Sequence, residues 1–350
     1  MARSSRVTLD TISRELNLST SSVSRALRND PLVHPETRAQ VNATAMRMGY
    51  QGRSRRGPQV ASHQRTIGVL FAASSMTDVK SHSLTMSYLQ GLTSEAGPAN
   101  ATLNIHAAEE FGANGVPAEH LDTDIWVLAG QHSSERVARL ASVAPVVSFV
   151  RAYPGVTHDL VATDDLTGIS LLVARLARLG HRRLVWASFD THSTFVRARL
   201  AGFLEGVVSA GLDLSKQTLL GGIIAGENNS DPEPLLEAIR EGATAVVAVS
   251  DHAAFEIGEM LANAGLSIPD DVSLTGFDAI GEPGRRTVQY TSFDPNFVEM
   301  GRSAARLALW RLENPSAASV QLTVRGTVLE GSTIAAPRSA KIPAKRKGRR

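Results

Sequence analysis

From residue 67 to residue 277 the sequence alternates short runs of apolar residues with amphipathic stretches. Continuous apolar runs are typical of strands that a parallel sheet buries on both faces, and the stretches between them suit crossover helices. Because nine runs are more than one sheet of about five or six strands needs, we predict two doubly wound α/β subdomains. The predicted strands are 67–72, 102–107, 124–129, 146–150, 160–163, 183–188, 218–222, 243–249 and 272–277, and the predicted helices include 166–179, 195–210, 233–241 and 253–264.

The segment before these runs has the pattern of three short helices. Their apolar residues recur at helical spacing, and residues that favour helix ends stand at the boundaries. Three short helices enclose only a small apolar core, which is typical of a compact DNA-binding module. The predicted helices are 9–16, capped by Thr8; 20–28, capped by Ser19; and one that begins with Pro35 and ends near Gly49.

Charge is distributed unevenly along the chain, although the total is only +2. Residues 1–66 contain 11 Arg, no Lys and four acidic residues, and residues 337–350 contain seven basic residues and no acidic ones. The segment between them has a net charge of −12. Two basic ends on an acidic body indicate a polyanionic partner for the ends and a different role for the middle. We interpret 51–66 as a basic linker and expect the tail 337–350 to be disordered.

Composition and missing motifs exclude several classes of protein. The chain has no cysteine, which excludes a disulfide framework and a thiolate nucleophile. No apolar run approaches the roughly 18 residues of a membrane helix, and the N-terminus lacks the apolar segment of a signal peptide, so we expect a cytoplasmic protein. Phosphate-loop, dinucleotide-binding, nucleophile-elbow and zinc-protease motifs are missing. We therefore expect no enzyme activity, no cofactor and no metal site.

Two sets of residues stand at the spacings of a known family. Together they span about residues 7–335, and they resemble the lactose-repressor (LacI/GalR) family of bacterial transcription regulators. The matching residues are Val7-Thr8-Leu9, Ile12, Ser19, Val23-Ser24-Arg25, Leu27, Val33, Thr37-Arg38, Val41 and Gly49-Tyr50 in the helical segment, and Ile67-Gly68-Val69, Leu179-Gly180-His181-Arg182, Arg199-Leu200-Ala201-Gly202-Phe203, Ser250-Asp251 and 268–278 in the α/β region.

The resemblance implies a fold and an order of domains. An all-α helix–turn–helix head precedes an α/β core like that of periplasmic binding proteins, built from two doubly wound subdomains with parallel sheets. The implied domains are a DNA-binding head, 1–50; a hinge or linker, 51–66; an effector-binding and dimerisation domain, 67–336, with one subdomain of 67–163 plus 293–325 and another of 164–292 plus 326–336; and the basic tail, 337–350.

The second helix of a helix–turn–helix lies in the major groove with its N-terminal residues at base edges. Arg25 can bond guanine bidentately, which contributes about 1–3 kcal/mol of discrimination, and the alternative is a phosphate contact. The family reads bases at the positions of Thr20, Ser21 and Arg25, and the resemblance implies that role here. The predicted DNA contacts are Thr20, Ser21, Ser22 and Arg25 at bases, Ser19 as a cap that also donates to phosphate, and Thr8, Thr37 and Arg38 at phosphates or in a plain surface role.

The linker departs from the family pattern. Relatives form a short hinge helix on DNA and insert a leucine into the minor groove, but here Gly57-Pro58 stands beside that position and opposes a helix. Arg53, Arg55 and Arg56 either enter a narrow minor groove as an extended arm or belong to a flexible linker held by counterion release alone.

The resemblance to sugar-binding proteins implies a ligand between the two subdomains, at the carboxyl ends of their strands. Arg199 has a planar guanidinium that can hold two hydroxyls or a carboxylate. Asp251 can bind ligand or cap the helix that follows it. Arg151 replaces the usual aspartate of sugar-binding members and favours an acidic effector. The predicted effector contacts are Arg199, Asp278 and Asp251, with Phe71, Ser74, Phe195 and Arg151 as further candidates; core packing is the alternative for both rings.

These features predict a ligand-responsive, sequence-specific regulator of the repressor type that acts at the bacterial nucleoid. Its partners are a double-stranded DNA operator, a sugar-like small molecule and a second copy of the chain. A homodimer is expected because one small head makes too few base contacts for selectivity. The alternatives are an enzyme for sugars or nucleotides with an added DNA-binding head, and an exported sugar-binding protein. The basic tail either adds non-specific DNA affinity or only improves solubility.

Overall fold

The chain divides into two compact units, Met1–His63 and Gln64–Arg350, which we call the head and the core. The structure is a computed structural model, and it describes residues 8–27, 33–48, 64–72, 79–111, 122–189, 193–224, 231–280 and 289–338.

The described part of the head consists of three helices around a small apolar centre. The first begins as predicted, because the Thr8 side chain accepts a hydrogen bond from the Thr11 backbone N–H, and the Thr11 hydroxyl accepts one from the Thr8 backbone N–H. Ser19 Oγ accepts from the Ser22 backbone N–H at 3.0 Å and so caps the second. The helices are α1 Leu9–Leu16, α2 Thr20–Leu27 and α3 Pro35–Arg47, and the buried side chains between them include Ile12, Val23, Ala26, Val41 and Ala45.

The core contains two six-stranded sheets, which confirms the predicted pair of α/β subdomains. We call the first sheet with its helices the first lobe, and its strand order is β11-β5-β4-β3-β1-β2, with every pair parallel. Its strands are β1 Arg65–Phe71, β2 Ala101–Ala107, β3 Ile125–Ala129, β4 Val146–Phe149, β5 Asp159–Thr163 and β11 Gln321–Val324.

The second lobe is built on the other sheet, whose order is β12-β10-β9-β8-β6-β7. All its strand pairs are parallel except the pair that β12 makes with β10. This sheet includes residues 293 and 294, which the predicted division assigned to the first subdomain. Its strands are β6 Leu184–Ser188, β7 Thr218–Gly221, β8 Ala245–Ala248, β9 Ser273–Phe277, β10 Thr291–Asp294 and β12 Thr327–Leu329.

Seven described helices cover the two sheets. In the first lobe α4 and α10 pack against each other, and Phe297 and Met300 of α10 join the buried cluster under that sheet. The chain passes from lobe to lobe three times, after β5, after β10 and between β11 and β12. The helices are α4 Val79–Ala96, α5 Ser134–Val143, α6 Asp165–Leu179, α7 Thr194–Ser209, α8 Glu233–Arg240, α9 Asp251–Asn263 and α10 Phe297–Glu313.

Close packing of α6 on α7 brings charged residues of the second lobe together. A Cβ on Gly202 would lie 2.4 Å from the Leu166 carbonyl oxygen, so only glycine permits this approach. Gly202 follows Arg199 by three residues on α7, and Leu166 follows Asp165 on α6. The contact therefore holds the Arg199 side chain beside the start of α6.

Candidate functional site

A cavity of about 230 Å³ lies between the two lobes of the core, at the carboxyl ends of several parallel strands. This is where open α/β sheets place their ligands. Five of the predicted effector residues line it, namely Phe71, Arg151, Phe195, Arg199 and Asp278. Its other lining residues are Leu84, Thr85, Tyr88, Ala129, Gly130, Phe149, Val150, Thr163, Phe189, Ser250, His252 and Phe297.

Arg199 lies between two carboxylates. Its Nε donates to Asp165 Oδ1 at 2.8 Å, one Nη to Asp278 Oδ1 at 3.1 Å, and the other Nη to the Val249 carbonyl at 2.7 Å. Burial alone would lower the pKa of the guanidinium, but the charges of Asp278 and Asp165 and their hydrogen bonds raise it above its ordinary value. Arg199 therefore remains a cation, and three of its five N–H groups are used within the protein.

Asp278 directly follows β9 in an unusual backbone conformation, with φ of 105°. A positive φ at a residue other than glycine is a strained conformation that is concentrated at ligand sites. Burial raises the pKa of the Asp278 carboxyl to about 6, against the opposing effect of Arg199. Its Oδ1 accepts from Arg199, which leaves Oδ2 to accept a hydrogen bond from a ligand hydroxyl.

Both carboxylate oxygens of Asp251 accept hydrogen bonds from other residues of the second lobe. One of its oxygens accepts from Ser292 Oγ at 2.7 Å and the other from the Ile280 backbone N–H at 2.7 Å. Asp251 is not among the described residues that line the cavity. The cap of α9 is Ser250 rather than Asp251, because the Ser250 hydroxyl accepts a hydrogen bond from the Ala253 backbone N–H. The two hydrogen bonds thus connect the start of α9 to β10, through Ser292, and to the loop after β9, through Ile280. Burial raises the pKa of Asp251 to about 8, with a further contribution from Asp278.

Arg151 reaches the cavity from a tight turn after β4. Val150 has φ of 63°, and the Arg151 backbone N–H donates to the Phe149 carbonyl at 2.6 Å. A β-branched residue at positive φ is a genuine outlier. The guanidinium carbons of Arg151 and Arg199 lie 5.2 and 5.1 Å from the centroid of the Phe195 ring. Phe195 thus contacts one cation from each lobe.

The sequence prediction missed an aromatic part of the cavity. Tyr88 on α4 stacks on Phe149 with 4.4 Å between ring centroids, and it meets Phe297 edge-on at 5.2 Å. Thr163 ends β5, and its buried Oγ1 has no hydrogen-bond partner among the described residues. The sequence did contain a usable signal, because Thr163 ends a predicted strand, Phe189 directly follows one, and Phe149 is the last residue but one of another. The carboxyl ends of parallel strands converge on ligand sites. Ser74 lies outside the described residues.

The predicted base-reading residues lie together at the start of α2. Thr20, Ser21 and Arg25 are exposed there, with Arg25 one turn after the first two. The Ser19 hydroxyl lies 2.8 Å from those of both Ser21 and Ser22, so the cap joins a cluster of hydroxyls. Of the predicted phosphate contacts, Thr8 is exposed at the start of α1, and Thr37 and Arg38 are half-buried in α3. Arg53, Arg55 and Arg56 of the predicted arm lie outside the described residues, as does the tail from residue 339.

None of the helices in the described ranges has the length and hydropathy needed to cross a lipid bilayer.

Comparison with known proteins finds similarity in part of the chain. Residues 173–334 match a family described as a periplasmic binding protein-like domain. The chain is 30% identical over 176 residues to the arabinose metabolism transcriptional repressor of Geobacillus stearothermophilus, which covers 49% of this chain and 48% of that one. The chain therefore spans about half the length of this curated relative.

Two solved structures have the same fold. A LacI family transcriptional regulator from Enterococcus faecium, with bound ribose, has a TM-score of 0.62 at 22% identity and covers 78% of this chain and 100% of its own. The lac repressor dimer bound to operator and the anti-inducer ONPF has a TM-score of 0.61 at 17% identity, with coverage of 94% and 99%. The descriptions of all three of these relatives are those of transcriptional regulators or repressors. The chain is thus similar in fold to these solved LacI-family structures, and residues 173–334 match the periplasmic binding protein-like family.

Proposed function

We propose that this protein is a ligand-responsive, sequence-specific DNA-binding repressor. A small molecule, a carbohydrate or sugar derivative, binds between the lobes of the core and switches the affinity of the protein for its operator. The observation that carries the proposal is the buried Arg199, which ends at the interlobe cavity with Asp278 beside it. An arginine donor next to a carboxylate acceptor is the pair of groups that a ligand hydroxyl requires, since a hydroxyl both accepts and donates.

The head supports the DNA-binding half of the proposal. The exposed Thr20, Ser21 and Arg25 occupy the first turns of the second helix, which in helix–turn–helix proteins enters the major groove. We propose a homodimer on a double-stranded, pseudo-palindromic operator, because two heads double the number of bases read. The solved lac repressor, to which the chain is similar, is a dimer on its operator. The site of action in this proposal is the bacterial cytoplasm, at the nucleoid.

In this mechanism the ligand changes the relative orientation of the two lobes, and that change alters the spacing of the two heads of the dimer. The ligand shifts the equilibrium only if it binds one arrangement of the lobes more tightly than the other. The cavity has residues from both lobes, including Arg151 from the first and Phe195 and Arg199 from the second. A ligand that contacts both walls therefore has the differential affinity that the mechanism requires.

The test is footprinting of the purified full-length protein on the genomic DNA of its source, followed by measurement of operator affinity with and without candidate ligands. We expect protected sites with two half-sites of opposite orientation, and a compound that changes the affinity at least about tenfold. An absence of protected sites, or turnover of a sugar or nucleotide by the protein, would contradict the proposal.

A further inference from the structure

The last described residues of the chain, 335–338, lie at the amino edge of the second sheet. The Ala335 carbonyl accepts a hydrogen bond from His181 Nε2 at 2.8 Å, and the Ala335 N–H donates to the Ser273 hydroxyl at 3.0 Å. Ser273 begins β9 and His181 comes shortly before β6, so these bonds hold the chain at the strand ends that point away from the interlobe cavity. The basic tail 337–350 therefore leaves the core from the amino edge of the second lobe.

The linker and the basic tail join the core on opposite sides of the cavity. At about 3.3 Å per residue, β1 extends roughly 20 Å from Arg65, where the linker joins, to Phe71 at the cavity. In the other lobe, β9 and the residue after it extend roughly 16 Å from Ser273, beside the tail, to Asp278 at the cavity. The two points of attachment therefore have roughly 35 Å of strand between them.

The basic tail has a high density of positive charge. Residues 339–350 include six basic residues and no acidic ones. A segment with this composition matches a polyanion and has too few apolar residues to form a core of its own. The six basic residues are Lys341, Lys345, Arg346, Lys347, Arg349 and Arg350.

The surface beside the tail does not supply the negative charge that the tail lacks. Arg178 and Arg182 are exposed on either side of Gly180, and a Cβ on Gly180 would lie 3.6 Å from Pro337 of the tail. Neither arginine pairs with a carboxylate among the described residues. The acidic residues of the segments that lead into β7, β8 and β9 are Asp213, which pairs with Lys216; Asp270, which pairs with Arg338; Asp271; and Glu241. The nearby arginines repel the tail, and two of these four carboxylates are already paired, so this edge favours a partner outside the core.

Double-stranded DNA is the polyanion that the proposed function supplies, with one negative charge per about 1.7 Å of helix. Residues 339–350 span at most about 40 Å when fully extended. This is close to the length of strand between the two points of attachment. To reach DNA held at the linker, the tail would have to lie stretched along the whole core, which costs the conformational freedom of every residue in it. A duplex on the tail side of the core requires no such stretching.

We propose that the basic tail is a second DNA-binding element, which binds a duplex other than the one that the heads read. Its cations neutralise phosphates without sequence preference, and Arg178 and Arg182 extend the basic surface onto the second lobe. The protein thereby bridges two segments of DNA, one held by the heads and the other by the tails. The proposal rests on the proposed function for the duplex that the heads hold.

The experiment measures whether full-length protein held on one duplex captures another. The protein is bound to a short, bead-linked duplex of the footprinted operator, and a fluorescent duplex of scrambled sequence is then added at about 50 mM salt. We expect wild type to capture at least about tenfold more of it than a variant with the six tail residues replaced by Gln, and 200 mM salt to release it. Equal capture by the two proteins, or no capture by wild type, would overturn the proposal.

Three further variants serve as comparisons in the capture experiment. A tail with the same residues in shuffled order should capture as well as wild type, because charge rather than sequence carries the binding; its failure would overturn that mechanism. The double variant Arg178→Gln, Arg182→Gln should lower capture at least about twofold. Arg139→Gln is its control, since Arg139 is an exposed arginine of the first lobe that pairs with Glu135, and it should not change capture. Equal capture by the double variant and this control would remove the two arginines from the site.

Affinity for the short operator alone shows which duplex the tail binds. It should agree within about twofold between wild type and the Gln variant, because the tail does not reach the duplex of the heads. A large loss of operator affinity in the Gln variant, without capture of a second duplex by wild type, would place the tail on the heads' own duplex and overturn the proposal.

A measurement without any operator separates failure of this proposal from failure of the proposed function. Fluorescence anisotropy with the scrambled duplex should give a slope of log affinity against log salt that is smaller in the Gln variant by about 0.9 for each phosphate lost. If that difference is found but no operator exists, the regulator is contradicted and the DNA-binding tail is supported. If an operator exists but no second duplex is captured, only the tail proposal fails.

Discussion

The guanidinium carbon of Arg151 lies 5.2 Å from the centroid of the Phe195 ring. Arg151 follows β4 in the first lobe and Phe195 belongs to the first turn of α7 in the second, so this contact spans the cleft. Its strained neighbour Val150 fixes where Arg151 leaves the sheet. Both residues line the proposed effector site, so the pair is a direct contact between the lobes there.

The first prediction concerns this pair. In a double-mutant cycle with Arg151→Met and Phe195→Leu, we expect a coupling energy of about 0.5–1 kcal/mol, the size of a half-exposed cation–π contact. The measurement is urea unfolding of the two single variants, the double variant and the wild type. The cycle removes the other contacts of each side chain from the result. Strict additivity of the two substitutions would mean that the contact contributes nothing to the core.

The second prediction concerns the buried charge cluster. Arg199→Met leaves Asp165 and Asp278 near each other without their cation, so we expect the free energy of unfolding to fall by about 3–5 kcal/mol at pH 7. Arg197→Met is the control on the same helix. Arg197 is exposed, and its replacement should change stability by no more than about 0.5 kcal/mol. Equal losses in the two variants would show that Arg199 does not compensate the carboxylates.

The third prediction is a dependence of stability on pH. Burial raises the folded-state pKa of Asp251 to about 8 and that of Asp278 to about 6, above the ordinary value of 3.8. The folded chain therefore binds these protons more tightly than the unfolded chain does. Their stabilising contribution is fully present below about pH 4 and is lost as pH rises through 6 for Asp278 and 8 for Asp251. As these contributions are lost, we expect the melting temperature of the core to fall between pH 5 and pH 8.

Two variants separate Asp251 from the rest of the chain in that measurement. Asp251→Asn carries no charge at any of these pH values, so its melting temperature should fall less steeply between pH 6 and pH 8. Asp270→Asn removes an exposed carboxylate that pairs with Arg338, and it should keep the wild-type slope. Parallel profiles for wild type and Asp251→Asn would contradict the assignment.

The fourth prediction concerns base reading by the head. Arg25→Ala should weaken binding to the operator by about 1–3 kcal/mol and relax the preference at one base pair in each half-site. Arg14→Ala is the comparison, because Arg14 is an exposed arginine of α1 that pairs with Asp10 and does not belong to the second helix. Fluorescence anisotropy on the footprinted operator and on a scrambled duplex measures both quantities. A similar loss on the two duplexes would assign Arg25 to phosphate rather than base contact.

The fifth prediction concerns the basic linker. Replacement of Arg53, Arg55 and Arg56 by Gln should reduce the slope of log affinity against log salt by about 0.9 for each phosphate that the variant no longer neutralises. A reduction on A/T-rich operators that exceeds the one on G/C-rich operators would favour a minor-groove arm over a linker held by counterion release. An unchanged slope would leave the three arginines without a part in DNA binding.

The sequence predicted nine of the twelve described strands and missed one edge strand in each sheet. All nine predicted strands are present, and each boundary lies within two residues of its predicted place. β10, β11 and β12 were missed, as were α4, α5 and α10. Most of the side chains of β11 and β12 are exposed, so these edge strands lack the continuous apolar run by which the buried strands were recognised.

The candidate site was predictable only in part. Arg199 and Asp278 follow from motifs, and the structure places them in contact. The role of Asp251 did not follow, because its partners Ser292 and Ile280 are distant in sequence and reach it only through the fold of the second lobe. Gly276 supports this arrangement, since a Cβ there would lie 1.9 Å from an Asp251 oxygen. Tyr88 and Phe297 are on helices that the sequence prediction did not include.

The three passages between the lobes have a consequence for synthesis. β11 forms an edge of the first sheet and β12 an edge of the second, and both belong to the segment 321–329 near the end of the chain. A ribosome that adds about 5–20 residues per second has therefore already made the ten other described strands before either sheet receives this edge strand. The two lobes are therefore completed almost together, and a chain that stops before residue 321 lacks one edge strand in each sheet.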